Sequence, residues 1–284
     1  MSVKLEGNIL VTGANRGIGL ELVKQLAEKT AGEAHIYACC REPEGTSAET
    51  QSLIRGSRTS QELEKKKSTL NKVNIQDKGK IFNGQDVADE DSVSAAVQAV
   101  SKKIAAGGLN LLINNAAVNK PASPAPLSAT SKKDMMEVYE TNVAGPFVLA
   151  KMLLPLLQRA AERDSPAKDN GNKMSCRRSA IINVSTMFSS IEKCPENFPI
   201  AQMYPYRTSK AALNMLTRCQ AEDFKIHNIL VAGIHPGWVR TEMGGADAPL
   251  PSQDSALSVL SVISSLSNKD SGRLLDWGGN MIPW

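Results

Sequence analysis

The feature that most constrains this chain is a glycine-rich turn between an apolar run and an amphipathic stretch. Residues 8–11 are typical of a strand, residues 12–19 read TGANRGIG, and apolar residues recur with helical period over residues 18–29. A strand that turns sharply into a helix presents unpaired N–H groups and the positive end of the helix dipole, and glycines let a diphosphate approach them. The turn therefore predicts a nucleotide-binding unit, although its glycine spacing differs from the usual dinucleotide fingerprint.

Apolar runs and helical patterns continue to alternate along the chain. Further strands are predicted at residues 34–39, 80–82, 109–113, 179–184 and 229–235, and helices at residues 91–105, 133–159 and 206–224. Pro155 is expected to end or kink the second of these helices. Such alternation is typical of a parallel sheet covered on both faces. We therefore predict an α/β fold with a single, Rossmann-type, doubly wound parallel sheet and helices on both faces.

Three polar stretches, residues 43–79, 160–178 and 242–256, interrupt this plan and are expected to be irregular surface loops or lids. A chain of 284 residues is long enough for a sizeable core. We expect one domain over residues 1–284, with a polar insertion at about 43–79. Loops at about 188–203 and 242–256 are expected to border the substrate.

Charge and cysteine content exclude several classes of function. The net charge is only +4, and the densest basic run, residues 65–67, lacks interleaved aromatic residues, so nucleic-acid binding is not expected. The five cysteines show no paired spacing of a disulfide framework or a metal site. No secretory signal is visible, and no apolar stretch is expected to reach membrane-spanning length. These features favour a cytoplasmic protein without a metal or a membrane anchor.

The end of the second predicted strand bears on the choice of nicotinamide cofactor. The strand ends with two cysteines followed by Arg41, where an acidic residue would hold the ribose 2′-hydroxyl of NAD. Arg41 and Arg16 could both face a 2′-phosphate, because a guanidinium fork matches phosphate geometry. NADP(H) is therefore favoured. In the alternative interpretation both arginines are simply exposed, and Glu42 holds the ribose.

A tyrosine and a lysine provide a candidate acid pair. Tyr206 and Lys210 are four residues apart at the start of a predicted helix, so their side chains share one face. A cation about 5 Å from a phenol, at an effective dielectric of about 20, contributes about 3 kcal/mol, or about two pKa units. The lysine is thus expected to lower the tyrosine pKa. The preceding strand ends in Ser185 and Thr186, whose hydroxyls could hydrogen-bond a substrate oxygen as charge develops on it.

These motifs, taken in order, resemble the short-chain dehydrogenase/reductase family, and within it the sniffer-type and C-factor-like carbonyl reductases. The resemblance covers nearly the whole chain. It is carried by TGANRGIG at 12–19, Asp86-Val87, NNAA at 114–117, Asn142 in TNVAGPF, NVST at 183–186, YPYRTSK ending at Lys210, and HPGWVRTEMGG at 235–245.

The resemblance implies an NADPH-dependent carbonyl reductase and a role for each matching residue. Tyr206 would protonate the carbonyl oxygen, Lys210 would also bind the nicotinamide ribose, and Asn142 would hold a water in a proton relay. Thr186 would supply the hydroxyl by its position, with Ser185 as the second candidate. The predicted cofactor-binding residues are Gly13, Asn15, Arg16, Gly17, Ile18, Gly19, Arg41, Asp86, Val87, Asn115, Ala116, Tyr206, Lys210, Pro236, Gly237, Val239 and Thr241.

Two departures from the family pattern suggest reduced activity. Thr186 stands where relatives most often have serine, and Ala117 stands where they usually have glycine. Apolar side chains in the two substrate loops favour a small apolar or aromatic carbonyl substrate, or else form a buried loop core. A homodimer is possible. The alternatives are an NADP(H)-binding signalling or scaffold protein with little catalysis, and an NAD-dependent alcohol dehydrogenase.

Overall fold

The computed structural model describes residues 4–30, 33–41, 79–82, 86–104, 106–163 and 174–284. Its strands are β1 (Gly7–Thr12), β2 (Ala34–Cys39), β3 (Gly79–Phe82), β4 (Leu111–Asn114), β5 (Ala180–Val184), β6 (Leu230–His235), β7 (Val239–Arg240), β8 (Leu250–Pro251), β9 (Leu274–Asp276) and β10 (Met281–Ile282). Its α-helices are α1 (Gly17–Lys29), α2 (Glu90–Ile104), α3 (Lys132–Tyr139), α4 (Gly145–Glu162), α5 (Cys194–Asn197), α6 (Tyr204–Asp223) and α7 (Ser252–Ser265).

In the described residues, eight strands form one sheet in the order β10-β9-β6-β5-β4-β1-β2-β3. Every neighbouring pair from β9 to β3 is parallel, and only β10 runs antiparallel to its neighbour β9. β1 pairs with β2 on one side and with β4 on the other, so the order of the strands reverses there. Ligands of open α/β sheets bind at such a switch point, beyond the carboxyl ends of the strands. The prediction of a Rossmann-type, doubly wound sheet is confirmed.

Alternate residues of the buried strands pack against helices on opposite faces of the sheet. Ile9 and Val11 of β1 join one apolar cluster with α1 and α7, whereas Leu10 joins a second cluster with α2, α4 and the end of α6. This two-sided burial explains why the strands are apolar along their whole length instead of alternating with polar residues. It also fixes the carboxyl ends of β1, β4 and β5 along one edge of the sheet.

The predicted helix over residues 133–159 differs from the structure. α3 and α4 are joined by a π-helical turn, Glu140–Ala144, and α4 continues through Pro155 to Glu162. Of the two outcomes expected at Pro155, an end of the helix or a kink, the end is wrong, because packing of Leu153, Leu156 and Leu157 in the core holds the helix together beyond the proline. The irregular turn instead coincides with Asn142.

The same helical stretch corrects the expectation about membrane-spanning segments. Among the described residues, Lys132–Glu162 is long and apolar enough to cross a membrane by length and composition alone. Half of its most apolar window, 50%, is buried inside the protein. That burial is typical of a core helix of a globular fold.

The C-terminal region is more regular than predicted. Residues 242–256 were expected to be irregular, but they contain β8 and the start of α7, and neither α7 nor β9 and β10 was predicted. Ala256, Val259, Leu260 and Ile263 recur with helical spacing and are buried, a signal that the adjacent serines obscured. Most of the predicted insertion at 43–79 lies outside the described residues.

Candidate active site

A cleft of about 920 Å³ opens at the switch point of the sheet. The predicted site residues on its wall are Gly13, Asn15, Arg16, Gly17, Ile18, Arg41, Asp86, Val87, Asn115, Ala116, Ser185, Tyr206, Lys210, Pro236 and Thr241. The ends of β1, β2, β4, β5 and β6 supply most of this wall. We call the part around Arg16 and Arg41 the arginine end, and the part around Tyr206 and Lys210 the tyrosine end.

The glycine turn at the start of α1 leaves space that side chains would fill. Gly13 has a φ of +63°, and a Cβ there would lie 2.9 Å from the Cα of Ala116. A Cβ at Gly19 would lie 2.2 Å from the carbonyl oxygen of Gly13. Arg16 is the N-cap of α1, and its side chain makes no capping hydrogen bond to the first turn. The helix thus presents N–H groups and the positive end of its dipole to the cleft, which fits a dinucleotide diphosphate.

A threonine that sequence reasoning missed ties the glycine turn to the asparagine segment. Thr12 Oγ1 accepts hydrogen bonds from the backbone N–H groups of Asn115 and Ala116, each at 3.0 Å. The Asn115 side chain donates in return to the carbonyl oxygens of Thr12 and Gly13, at 3.0 and 3.2 Å. These bonds join the ends of β1 and β4 and hold the floor of the cleft. Thr12 opens the TGANRGIG motif, so its position was a usable signal.

Each arginine of the arginine end has a carboxylate partner. Arg16 forms an ion pair with Glu242, and Arg41 Nη1 lies 3.8 Å from Asp86 Oδ2. The two arginine side chains are 56% and 54% exposed, so both can change partners at little cost. Glu242 was not predicted, although it follows Thr241 in the RTEMGG run quoted above. Glu42, the alternative ribose ligand, lies outside the described residues.

At the tyrosine end, the acid pair lies on one face of α6, as its spacing predicts. Lys210 Nζ lies 5.9 Å from the centroid of the Tyr206 ring and donates a 2.7 Å hydrogen bond to the carbonyl oxygen of Val184. Burial raises the pKa of Tyr206 to about 12 and lowers the pKa of Lys210 to about 7. The expected lowering of the tyrosine pKa is therefore wrong for this structure, because desolvation outweighs the attraction of the lysine. Tyr206 is a neutral phenol at neutral pH.

The two candidate hydroxyls differ in how their hydrogen atoms are used. Ser185 Oγ donates to Asn214 Oδ1 at 2.7 Å, and Asn214 also donates to Ser189 Oγ at 2.8 Å. Thr186 Oγ1 accepts from the N–H of Phe188 at 3.2 Å and caps the short turn Met187–Ser189. Ser185 lies on the cleft wall, but its hydroxyl hydrogen is already used in the bond to Asn214. Thr186 accepts in the bond from Phe188, so that bond leaves its hydroxyl hydrogen for donation to a ligand.

Asn142 lies in the π-helical turn and is completely buried. Its Oδ1 accepts from the N–H of Val118 at 2.9 Å, and its Nδ2 donates to the carbonyl oxygen of Val118 and to Ser209 Oγ, at 3.0 and 3.1 Å. The side chain thus links the loop after β4 to α6 and fixes the distance between them. Its role in a water relay stays a prediction, while its neighbour Thr141 lines the cleft.

Five predicted site residues are not among the residues that line the cleft: Gly19, Asn142, Thr186, Gly237 and Val239. Gly237, with a φ of +91°, lies against Trp277 and Leu250, where a Cβ would come within 2.7 Å of a Leu250 methyl group. Val239 is buried in β7 and pairs with β8. Gly237 and Val239 therefore shape the cleft indirectly, by fixing the turn after β6, which places Pro236 and Thr241 on the cleft wall.

Comparisons with known proteins agree with this geometry. A family model described as short chain dehydrogenase matches residues 7–249. The C-signal of Myxococcus xanthus is 31% identical over 188 residues, which cover 66% of this chain and all of that protein.

Two solved structures are similar over almost the entire length of the chain. The NADPH-bound carbonyl reductase from chicken fatty liver is 36% identical, with a TM-score of 0.81 and coverage of 99% of this chain and 100% of that one. The carbonyl reductase Sniffer of D. melanogaster is 32% identical, with a TM-score of 0.80 and coverage of 98% and 100%. The resemblance predicted from the motifs is confirmed: the chain belongs to the short-chain dehydrogenase family.

Proposed function

We propose that this protein reduces a small apolar or aromatic aldehyde, ketone or quinone, with Tyr206 as the proton donor. The observation that carries the proposal is the pairing of a half-buried neutral phenol with a buried lysine on the wall of a cleft that fits a dinucleotide. A phenol whose pKa is about 12 keeps its proton until a substrate oxygen becomes basic enough to take it.

The protein is an NADP-dependent oxidoreductase, and its cofactor is NADP(H), which supplies the hydride when bound. The glycine turn and the N-terminus of α1 would hold the diphosphate, and Arg16 and Arg41 would hold the 2′-phosphate. Each arginine would then exchange a carboxylate for a phosphate, which accepts two parallel hydrogen bonds from a guanidinium. The NADPH-bound carbonyl reductase from chicken fatty liver, which is 36% identical, supports this cofactor.

Two side chains would act on the substrate oxygen, and Lys210 would act on the tyrosine. Tyr206 donates its proton to it, and the Thr186 hydroxyl donates a hydrogen bond that strengthens as negative charge develops there. Ser185 remains the second candidate for this hydrogen bond. Once Tyr206 has given up its proton, an ammonium at Lys210 stabilises the phenolate, and a lysine pKa of about 7 leaves a large charged fraction at neutral pH. The acid can then be reprotonated from solvent.

The substrate class is supported by the apolar side chains next to Tyr206. Ala125, Ala201 and Met203 form a small buried cluster, and Phe188 and Tyr206 pack against it. Met243, from the loop after β7, also lies on the cleft wall. An apolar or aromatic group beside the carbonyl would bury its surface against these side chains.

Other features of the protein stay proposals. We propose one domain over residues 1–284 and a cytoplasmic location, with a small-molecule substrate and neither nucleic acid nor a membrane as partner. The family resemblance leaves both a homodimer and a monomer open and slightly favours the dimer. Size-exclusion chromatography with light scattering would separate a dimer from a monomer.

The alternative function is a signalling or scaffold protein that binds NADP(H) with little catalysis. The similarity to the C-signal of Myxococcus xanthus motivates it, together with Thr186 and Ala117 in place of the usual serine and glycine. The acid pair argues for catalysis, because burying the Lys210 amine next to the Tyr206 phenol is costly and a purely structural role does not require it.

A cofactor titration followed by a turnover assay separates these functions. Protein fluorescence should report tighter binding of NADPH than of NADH, and a panel of quinones, aldehydes and aromatic ketones should oxidise NADPH. Tight NADPH binding without turnover across the panel would favour the scaffold. Tighter NADH binding would favour an NAD-dependent alcohol dehydrogenase.

A further inference from the structure

A buried arginine next to the catalytic tyrosine is not used by the proposed mechanism. Arg207 follows Tyr206 on α6, yet it is only 6% exposed. Its guanidinium donates to the carbonyl oxygen of Ala201 from Nε and Nη2, at 3.0 and 2.7 Å. It also donates to both the carbonyl and the side-chain oxygen of Asn197, and at 3.4 Å to the carbonyl oxygen of Phe188. All of these acceptors are neutral.

Two aromatic rings complete the surroundings of this cation. The guanidinium carbon lies 4.4 Å from the ring centroid of Phe188 and 5.6 Å from that of Phe198. Rings at such distances attract a cation through their quadrupoles, and more strongly where water is excluded. A buried guanidinium held by neutral carbonyls and rings gains no strong ion pair, so its surroundings fix its geometry more than they neutralise its charge.

The groups that Arg207 holds all belong to the segment between the hydroxyl strand and the catalytic helix. Phe188 lies in the turn that Thr186 caps, Asn197 ends α5, and Ala201 lies two residues before Met203, the N-cap of α6. One side chain therefore connects both ends and the middle of this segment. We call residues 188–201 the clamped segment.

A second contact joins the residues that follow the clamped segment to the loop after β4. The N–H of Met203 donates to the carbonyl oxygen of Pro124 at 3.0 Å, and Met203 packs with Ala125 and Ala201. Met203 itself has a φ of +40°, a strained conformation for a residue with a side chain. Strain at this point is tolerated only where neighbouring contacts over-determine the backbone. Arg207 supplies two of those contacts through its side chain, at Ala201, and a third through its N–H, which donates to the carbonyl oxygen of Met203 at 2.9 Å.

We propose that Arg207 is a positioning residue for carbonyl reduction: by clamping residues 188–201, it sets the position of Thr186 and of the apolar substrate wall relative to Tyr206. This inference rests on the proposed function. Arg207 acts through the turn that Thr186 caps and through the ring of Phe188, and it touches neither the reacting atoms nor the cofactor. Its charge matters less than the fork of donors that reaches three carbonyl groups at once.

If Arg207 positions this segment, its removal should lower kcat/KM for the substrate without weakening the binding of NADPH. Displacement of reacting groups by about 1 Å costs about 100-fold in rate, so Arg207→Gln should lower kcat/KM for a bulky aromatic ketone by about 10- to 100-fold. A small aldehyde, which touches less of the wall, should lose less. NADPH affinity should change by less than about twofold, because the cofactor wall and the arginine end are untouched.

The experiment compares Arg207→Gln and Arg207→Lys with Arg218→Gln as a matched control on the same helix. Arg218 is 52% exposed and pairs with Glu222 on the helix surface. Lysine keeps the charge but cannot reach three carbonyls, so Arg207→Lys should recover only part of kcat/KM, whereas Arg218→Gln should behave as the wild type. All assays are run well below the melting temperature of each variant, with KM and kcat determined separately for the two substrates.

Two further measurements keep the inference testable if Arg207 variants fold poorly. Asn197→Ala removes one acceptor and keeps the cation, and it should reproduce the substrate-selective fall in kcat/KM on a smaller scale. Cleavage of the native protein after Glu196, which is exposed, by a glutamyl endopeptidase should be about tenfold faster in Arg207→Gln, because the clamped segment opens more often.

Normal kcat/KM for both substrates in Arg207→Gln would overturn the clamp and leave the proposed function intact. An equal loss for both substrates that follows the fall in melting temperature would also overturn it, because that pattern indicates a structural role alone. A wild-type protein that turns over none of the carbonyl panel would overturn the proposed function, and the positioning role would fall with it.

Discussion

The two ends of the cleft hold their charged groups in opposite ways. At the arginine end, Arg16 and Arg41 are more than half-exposed and paired with carboxylates. At the tyrosine end, Lys210 and Arg207 are almost completely buried and donate to neutral carbonyls. Exposed pairs contribute little and exchange readily with a ligand, whereas buried cations are costly and fix geometry. The comparison teaches that one end is built to bind a charged ligand and the other to position groups for a reaction.

The largest expected effect is at Lys210. In Lys210→Met, turnover should fall by about 1000-fold, because no cation then stabilises the Tyr206 phenolate. The melting temperature should rise by about 2–4 °C or more, because a buried cation is replaced by an apolar chain of similar length. Steady-state kinetics and thermal melting check both results. A variant that loses stability and keeps its activity would show that the buried Lys210 is neither destabilising nor needed for turnover, and would contradict this account.

The pH dependence of stability offers a second view of the same residue. The pKa of Lys210 is about 7 in the folded protein against an ordinary value of 10.5. The unfolded chain therefore binds the proton more tightly, so this lysine makes the free energy of unfolding rise between pH 7 and pH 9, by up to about 1.4 kcal/mol per pH unit. Denaturant melts of the wild type and of Lys210→Met should differ by that slope. Parallel pH profiles would show that the lysine is not desolvated.

The next largest effect distinguishes the two hydroxyls. Thr186→Val should lower kcat by about 10- to 100-fold, because it removes a donor to the developing oxyanion. Ser185→Ala should have a smaller effect, since the Ser185 hydrogen is already donated to Asn214. Thr186→Ser is the matched control and should retain activity. The reverse order of effects would assign the catalytic hydroxyl to Ser185.

At the arginine end, effects should appear in binding and leave turnover at saturating cofactor almost unchanged. Arg41→Gln should weaken NADPH binding by about tenfold and leave NADH binding nearly constant, because only NADPH carries the 2′-phosphate. Fluorescence titration with both cofactors checks this. Equal weakening of both would mean that Arg41 does not face the 2′-phosphate.

The smallest effect is expected from the carboxylate that pairs with Arg16. Glu242→Gln should tighten NADPH binding about two- to threefold at low salt, because Arg16 no longer has to exchange a carboxylate for the phosphate. The difference should shrink as salt is added. Weaker NADPH binding in this variant would indicate that Glu242 orients Arg16 for the cofactor and does not compete with it.

The sequence predicted the parts of the molecule that depend on local pattern. The buried strands and the glycine turn follow from runs of apolar residues and from the place of Gly13 between a strand and a helix. α7 was missed because the serines around Ser252 read as a loop, and the passage of α4 through Pro155 depends on packing against the sheet. Both errors arise where tertiary contacts override local preference.

The sequence predicted many residues that line the cleft, but it missed Thr12 and Glu242 and did not predict which side chains contact each other. Spacing placed Tyr206 and Lys210 on one face, but the direction of the tyrosine pKa depends on burial, which spacing does not report. Glu242 lies 226 positions from Arg16, and the partners of Arg207 come from a segment with no regular pattern. Pairings of this kind appear only once the chain is folded.

The most direct test of the account compares Tyr206→Phe with Tyr204→Phe in one experiment that records NADPH binding by fluorescence and carbonyl reduction by loss of NADPH absorbance. Tyr204 lies two residues away on the same helix, with its ring against Phe198, and serves as the control. The account predicts that Tyr206→Phe binds NADPH as the wild type does and loses at least about 100-fold in turnover, while Tyr204→Phe keeps both. Unchanged turnover in Tyr206→Phe would contradict it.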